Sequence, residues 1–421
     1  MNYPDDQQPK PVRVHLEPAV KPIPYYVKAL LLALPAVLIG IQISWWIVCL
    51  TSPARERSVD FRMYYGAARM MREGHASSLY DPTADTEVQN RTVAPDGDIH
   101  LFTHPAYELW LLFPLAYFPF HAAYLVLAAV NVILVWLIYR KILLHLTAFL
   151  EMRPWLPFAL FLTFLPIPLA ILQGQDSLVF ALLVVAAFTR VREDDLLSAG
   201  VLLGLASFRF QYTLIFLALF LVWKAWKFLA GFLASALACF LLSVAASGWR
   251  AQFDYLHLLR AMSDSRTSIT YTDRVTPPVL YMVNLRGLIT ALGGGLGWIL
   301  AASVVVIMIA ALIGCRVSRV NQFLLATIAT CLVSYHTFAY DLSILILPLT
   351  ILMDSALRDR NYKLLVSVAL AMAMPELVAL TVPFAKTWLN SVGVLALFVV
   401  ACKWVRFGSQ IATVTQGQET G

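Results

Sequence analysis

Residues 121–144 read HAAYLVLAAVNVILVWLIYRKILL; from Ala122 to Tyr139 there is no acidic or basic side chain, and only then comes the pair Arg140-Lys141. A helix rising about 1.5 Å per residue crosses the roughly 30 Å of hydrocarbon in a bilayer with about 20 such residues. The stretch therefore reads as a transmembrane helix. The whole chain has the same character: 60% of its 421 residues are hydrophobic and 13% charged, with a mean hydropathy of +0.73. Soluble domains carry about 25% charged residues, so an ordinary soluble globular protein is excluded. The net charge of +6 speaks for topology and lipid contact, because no basic cluster is interleaved with stacking aromatics as a nucleic-acid surface requires.

Outward from 121–144, comparable runs fall at 29–50, 154–172, 176–190, 196–208, 211–224, 227–247, 296–316, 321–336, 340–354, 364–383 and 387–405. The expected fold is all-α, a polytopic helical membrane protein of about twelve transmembrane helices. Cys49, Cys239, Cys315, Cys331 and Cys402 sit in or beside these runs and form no Cys-x-x-Cys pair, so they read as small packing residues. Placing Arg140-Lys141, Arg190/Arg192, Lys224/Lys227, Arg316/Arg319, Arg358/Arg360/Lys363 and Arg406 in the cytoplasm satisfies the positive-inside bias. Both chain ends then lie inside.

In this scheme residues 1–28 form a cytoplasmic tail, 29–406 one membrane domain and 407–421 a flexible tail, with outer loops at 51–104 and 248–295. The run 105–118 is left without a crossing; its flanking prolines and Glu108 suit a re-entrant or interfacial segment. Residues 277–292 are expected as an outer-face helix, since Asn284 and Arg286 interrupt the run.

An ionisable group inside a bilayer costs roughly 2.5–3.5 kcal/mol on insertion scales, which directs attention to polar residues beside apolar runs. Asp60 opens SVDFRMYYGAARMM, whose apolar spacing predicts a helix lying on the outer membrane surface, with Arg62, Arg69 and Arg72 on its polar side. At that place an aspartate is a natural helix N-cap as well as a candidate base. His104 stands where the first outer loop meets the membrane. Gln173-Gly174-Gln175-Asp176 is a polar tetrad between two apolar runs, where amides bind sugar hydroxyls or satisfy helix ends. Arg209 is a basic residue on the outer side, which suggests an anionic ligand or contact with lipid phosphate. Ser334-Tyr335-His336-Thr337-Phe338-Ala339-Tyr340-Asp341 is the densest polar cluster near the membrane plane. Tyr64, Tyr65 and Trp110 are candidates to stack on sugar or lipid.

The order and spacing of DFRMYYGAARMMREG, LYDP, THPAYELWLLFPLAYFP, LQGQDSLVFALLVVAA, AGVLLGLASFRFQ and SYHTFAYDLSILILP resembles the family 87 glycosyltransferases of the C-type superfamily, which include polyprenol-phosphate-mannose-dependent mannosyltransferases. The resemblance runs from about residue 55 to residue 350. It implies a bacterial plasma-membrane enzyme with an outward-facing cavity, where a hexose such as mannose passes from a polyprenyl-phosphate donor to a lipid or glycan acceptor. It also implies that Asp60 is the general base and that His336 lies near the donor phosphate. The chain departs from the family pattern at Thr103-His104-Pro105, where Tyr-Pro-Pro is common, and at Arg209, where Lys is common.

The residues suit this chemistry on their own terms. As the glycosidic bond breaks, negative charge grows on the leaving phosphate, where His336 and Arg209 are candidate stabilisers, while Asp60 takes the acceptor proton. One base with direct attack predicts inversion; retention needs a second carboxylate, for which Asp341 and Asp81 are the nearby candidates. With no Asp-x-Asp box in the first outer loop, metal independence is expected, with no cofactor besides the donor. The competing classes are a secondary transporter or flippase, which predicts paired repeats with broken helices at the midplane, and a polysaccharide ligase or polymerase, which needs a large late outer loop.

Overall fold

The structure is a computed structural model that describes residues 25–50, 59–93, 100–152, 155–263, 279–381 and 384–419. Most of the expected N-terminal tail and parts of both outer loops lie outside these residues. The described chain has no strand. Its helices are α1 (Tyr25–Leu50), α2 (Phe61–Arg72), α3 (Pro82–Thr92), α4 (Leu109–Leu112), α5 (Phe120–Leu143), α6 (Ala148–Met152), α7 (Leu156–Thr163), α8 (Pro166–Gln173), α9 (Ser177–Arg192) and α10 (Leu196–Leu205). There follow α11 (Phe210–Val222), α12 (Trp226–Ser247), α13 (Trp249–Ser263), α14 (Leu285–Ala291), α15 (Leu296–Gly314), α16 (Arg319–Val333), α17 (Ile346–Arg358), α18 (Tyr362–Thr381) and α19 (Asn390–Glu419), joined by short 3₁₀ turns.

Among the described residues, helices form in each of the twelve apolar runs. Seven described stretches are long and apolar enough to cross a membrane; α1, α7 with α8, α9 and α16 account for the remaining runs. Basic residues close α5 (Arg140, Lys141), α9 (Arg190, Arg192) and α17 (Arg358), where they complement the negative ends of the helix dipoles.

One of the seven stretches, Leu196–Val222, is folded back on itself. A Cβ on Gly200 would meet the carbonyl oxygen of Phe228, one on Gly204 would meet Ser235 and the carbonyl of Phe232, and one on Gly231 would meet the carbonyl of Leu197. The registers 197 to 231, 200 to 228 and 204 to 235 set α10 parallel to α12. Since only a three-residue turn separates α11 from α12, α11 must run the opposite way. The reversal falls at the 3₁₀ turn Ala206–Arg209, so two short helices approach one end of the bundle and return.

The main core joins the bundle helices α5 and α7 to α12 with α15 to α19. A second, smaller core surrounds α2, and here one expectation is corrected. Nine of the twelve residues of α2 are buried, Arg62 completely among them. Phe61, Tyr64, Tyr65, Ala68 and Met70 pack with Val88, Phe102, Leu109, Leu112, Phe120, Tyr255 and Leu258. The helix is thus covered by α3, by the 105–118 segment and by α13 instead of lying on a membrane surface. Its amphipathic pattern was real, but loop elements cover both faces.

The 105–118 segment is two 3₁₀ turns around the four-residue α4, too short to cross. It buries Leu109, Leu112 and Leu115 towards α2 and exposes Trp110, Leu111, Tyr117 and Phe118, as an interfacial segment does. The stretch expected as a plain hydrophilic loop after 248 contains α13, which buries Ala251, Tyr255 and Leu258 and exposes Trp249, Phe253 and Leu256. Only 279–292 of the expected outer helix are described, and they form a 3₁₀ turn and the seven-residue α14, capped by Asn284. The tail after 407 continues α19 to Glu419; it contains no proline to stop it.

Candidate active site

The site begins with a helix stop. Gly174 takes φ 64° and ψ 42°, a left-handed conformation open to glycine at no steric cost. A Cβ there would lie 2.7 Å from Phe61 Cβ, so the same glycine lets the start of α2 settle against the end of α8. Two glutamines are thereby delivered to Asp60. Gln173 Oε1 accepts the Asp60 backbone N–H at 3.3 Å, and Gln175 Nε2 donates to Asp60 Oδ2 at 2.6 Å.

Asp60 occupies the N-cap position of α2 but makes no side-chain cap bond. Its carboxylate is turned away from the helix it precedes. Oδ1 faces His100 Nδ1 at 3.2 Å, and the side chain is 20% exposed; the Tyr340 side chain lies close to the same carboxylate. The capping reading of Asp60 is therefore replaced by a carboxylate at the rim of a polar cluster.

Beneath it lies a buried charge network. Gln175 Oε1 accepts the Tyr64 hydroxyl at 2.9 Å and Arg209 Nη2 at 2.9 Å. Arg209, at the α10–α11 reversal, clasps both oxygens of Asp176 and donates from Nη1 to Asp341 Oδ1 at 2.8 Å. Ser177 Oγ donates to the same Asp341 oxygen at 2.9 Å, and Asp341 Oδ2 accepts the Phe338 backbone N–H at 2.9 Å. This alters the expectation for Arg209: its guanidinium is fully engaged with two carboxylates and is 4% exposed, so it orients Gln175 and Asp176 instead of presenting a charge to a ligand.

His104 stands on the other side of Asp176, with Nδ1 2.7 Å from Glu108 Oε2 and 3.4 Å from Asp176 Oδ2. Burial opposes its charge, but Glu108 and Asp176 raise its pKa to about 9. Burial likewise pushes Glu108 up to about 7, against the pull of His104. His104, Glu108 and Asp176 bring one ligand atom each within 4.8 Å of one another, a spacing open to a metal ion. Arg209 nevertheless holds Asp176 on both oxygens, so a cation would have to displace the guanidinium.

The signs predict a pH dependence. The folded pKa of His104 is raised above its unfolded value, so its contribution to stability is complete below about 6.5 and is lost as pH rises through about 9. Glu108, also raised, favours the protonated fold, and this is lost as pH rises from about 4.5 through about 7. Both slopes have one sign. The thermal midpoint of the purified protein in detergent is expected to fall between pH 6 and pH 9.5, and His104→Gln to flatten the upper part of that fall. A midpoint that stays level or rises over this range in the wild type contradicts the assignment.

The other expected site residues divide. Tyr64 and Gln175 join the cluster. Tyr65 does not: its ring packs on Phe120 and its hydroxyl donates to the Phe118 carbonyl at 2.9 Å. The His336 ring is half-buried and stands near Tyr335 and Phe338. Its turn is tied to the second loop by Val283 N–H to the Thr337 carbonyl at 2.8 Å, Asn284 Nδ2 to the Ser334 carbonyl at 2.8 Å, and Arg286 4.2 Å over the Tyr335 ring. Residues not singled out from the sequence as site candidates are His100, Gln173, Ser177 and Tyr340. Gln173 and Tyr340 lay within stretches already flagged as polar; for His100 the sequence held no signal.

The family model of glycosyltransferase family 87 matches residues 102–338, more than half of the 421-residue chain. His104, Gln175, Arg209 and His336 lie within the match, and Asp60 precedes it. No curated protein and no solved structure matches the chain.

Proposed function

Because the chain belongs to glycosyltransferase family 87, we propose that it moves a hexose, mannose in the first instance, from a polyprenyl-phosphate carrier to a hydroxyl of a lipid or glycan acceptor. The reaction takes place at the non-cytoplasmic face of a bacterial plasma membrane, where nucleotide sugars are absent and a lipid-borne donor meets the need. The observation that carries this reading is Asp60: an aspartate at an N-cap position that caps nothing and points into a network of amides and hydroxyls.

In this scheme the Asp60 carboxylate takes the proton of the acceptor hydroxyl as that oxygen attacks the anomeric carbon. The carrier phosphate leaves with the electron pair of the glycosidic bond. His336 offers an imidazole N–H to a phosphate oxygen, where charge grows as the bond breaks. The outcome is inversion. A covalent intermediate needs a second free carboxylate, whereas Asp176 and Asp341 are bound to Arg209, Glu108 faces His104, and Asp81 caps α3 by accepting the Thr83 N–H at 2.9 Å. The scheme takes no cofactor beyond the donor.

The test offers radiolabelled polyprenyl-phosphate mannose, glucose and arabinose, with a membrane lipid extract, to the purified protein in liposomes. Transfer from one donor, with the product anomer opposite to the donor's, is the expected result. No transfer from any of the three excludes mannose, glucose and arabinose on this carrier with the acceptors the extract supplies.

A further inference from the structure

The two oxygens of Asp60 have different neighbours. Oδ2 accepts Gln175 Nε2 at 2.6 Å, while Oδ1 faces His100 Nδ1 at 3.2 Å. His100 is held in place by its backbone: its carbonyl accepts Gln89 Nε2 at 2.7 Å, the same amide bonds Asp85 Oδ1 at 2.9 Å, and Asp85 Oδ2 accepts the Phe102 N–H at 3.1 Å. Helix α3 therefore fixes the strip 100–102 on both sides of Leu101. The imidazole remains 29% exposed, at the mouth of the site. The charged and titratable groups around the pair are Asp85 from α3, Arg62 from α2 and Tyr340 from the turn before α17.

We propose that His100 is a positioning residue for Asp60, clamping one carboxylate oxygen so that the remaining lone pairs face the acceptor hydroxyl. Neutral, with its proton on Nδ1, the imidazole donates to Oδ1 and leaves Asp60 basic. The inference rests on the reading of Asp60 as the base.

The experiment compares transfer rates at pH 7.5 of wild type, His100→Gln and His100→Ala. Glutamine keeps an N–H donor in reach of the carboxylate, so this variant should remain within about tenfold of wild type at pH 7.5. Alanine loses the clamp, and a fall of about 10–100-fold at pH 7.5 is expected, as for a displaced catalytic group. Equal rates in all three proteins overturn the proposal. A second readout is independent of transfer: in ¹⁵N-histidine-labelled protein at pH 8, His100 should carry its proton on Nδ1, and Asp60→Ala should return it to the Nε2 form. The same tautomer in both proteins overturns the clamp whether or not sugar is transferred, whereas a wild type with no transfer and the expected tautomer change indicts the donor assignment alone.

Discussion

Asp60→Asn is expected to reduce sugar transfer by about 10²–10⁴-fold, the range that general bases supply, with little effect on folding. Asparagine is isosteric. Its Oδ1 can still accept from Gln175, and its amide can meet His100 once that imidazole changes tautomer, so the hydrogen-bond pattern at the start of α2 survives. Only the capacity to hold a proton is lost. The measurement is kcat in liposomes with the active donor, alongside a size-exclusion profile showing an intact monodisperse protein. A folded Asp60→Asn variant with a third or more of wild-type kcat would remove Asp60 from the role of base and leave it a positioning residue.

Arg209→Met produces the other large effect, on stability. Arg209 is the one basic group that touches both Asp176 and Asp341 in the described network. A methionine of similar length leaves two buried carboxylates facing each other. Removing one partner from a buried pair costs about 3–5 kcal/mol, because the remaining charge has no solvent. Thermal unfolding in detergent should show that loss. The triple variant Arg209→Met, Asp176→Asn, Asp341→Asn should recover most of the stability but not transfer, since replacing a whole buried charge set is often near neutral. A single variant as stable as wild type would mean that the charges reach water.

Much of the architecture was legible because a bilayer imposes a simple requirement: long uncharged runs must be helical, and among the described residues helices form in each of the twelve. Asp60, Gln175 and the turn at His336 were legible as polar residues that apolar neighbours make costly. The surroundings of α2 were not. Its apolar spacing described one buried stripe, and nothing local to Arg62 could indicate that α3, the 105–118 segment and α13 would close over the other side. The role of Arg209 was hidden for a related reason. A basic residue on an outer turn looks free until tertiary packing brings in Asp176 from 33 positions earlier and Asp341 from 132 positions later. His100 was silent because it belongs to no periodic element; a hydrogen bond from Gln89 places it.

That spacing at Arg209 bears on how the protein is made. The α10–α11 reversal enters the membrane when Asp176 is already present but Asp341 has not yet been synthesised, 132 residues further on. At roughly 5–20 residues per second, the nascent chain spends about 7–26 s with the guanidinium half-matched. Insertion of this hairpin cannot be completed helix by helix in the order of translation. The reversal stays provisional until the turn before α17 arrives, which makes the last third of the polypeptide the element that locks a site laid down in the first half.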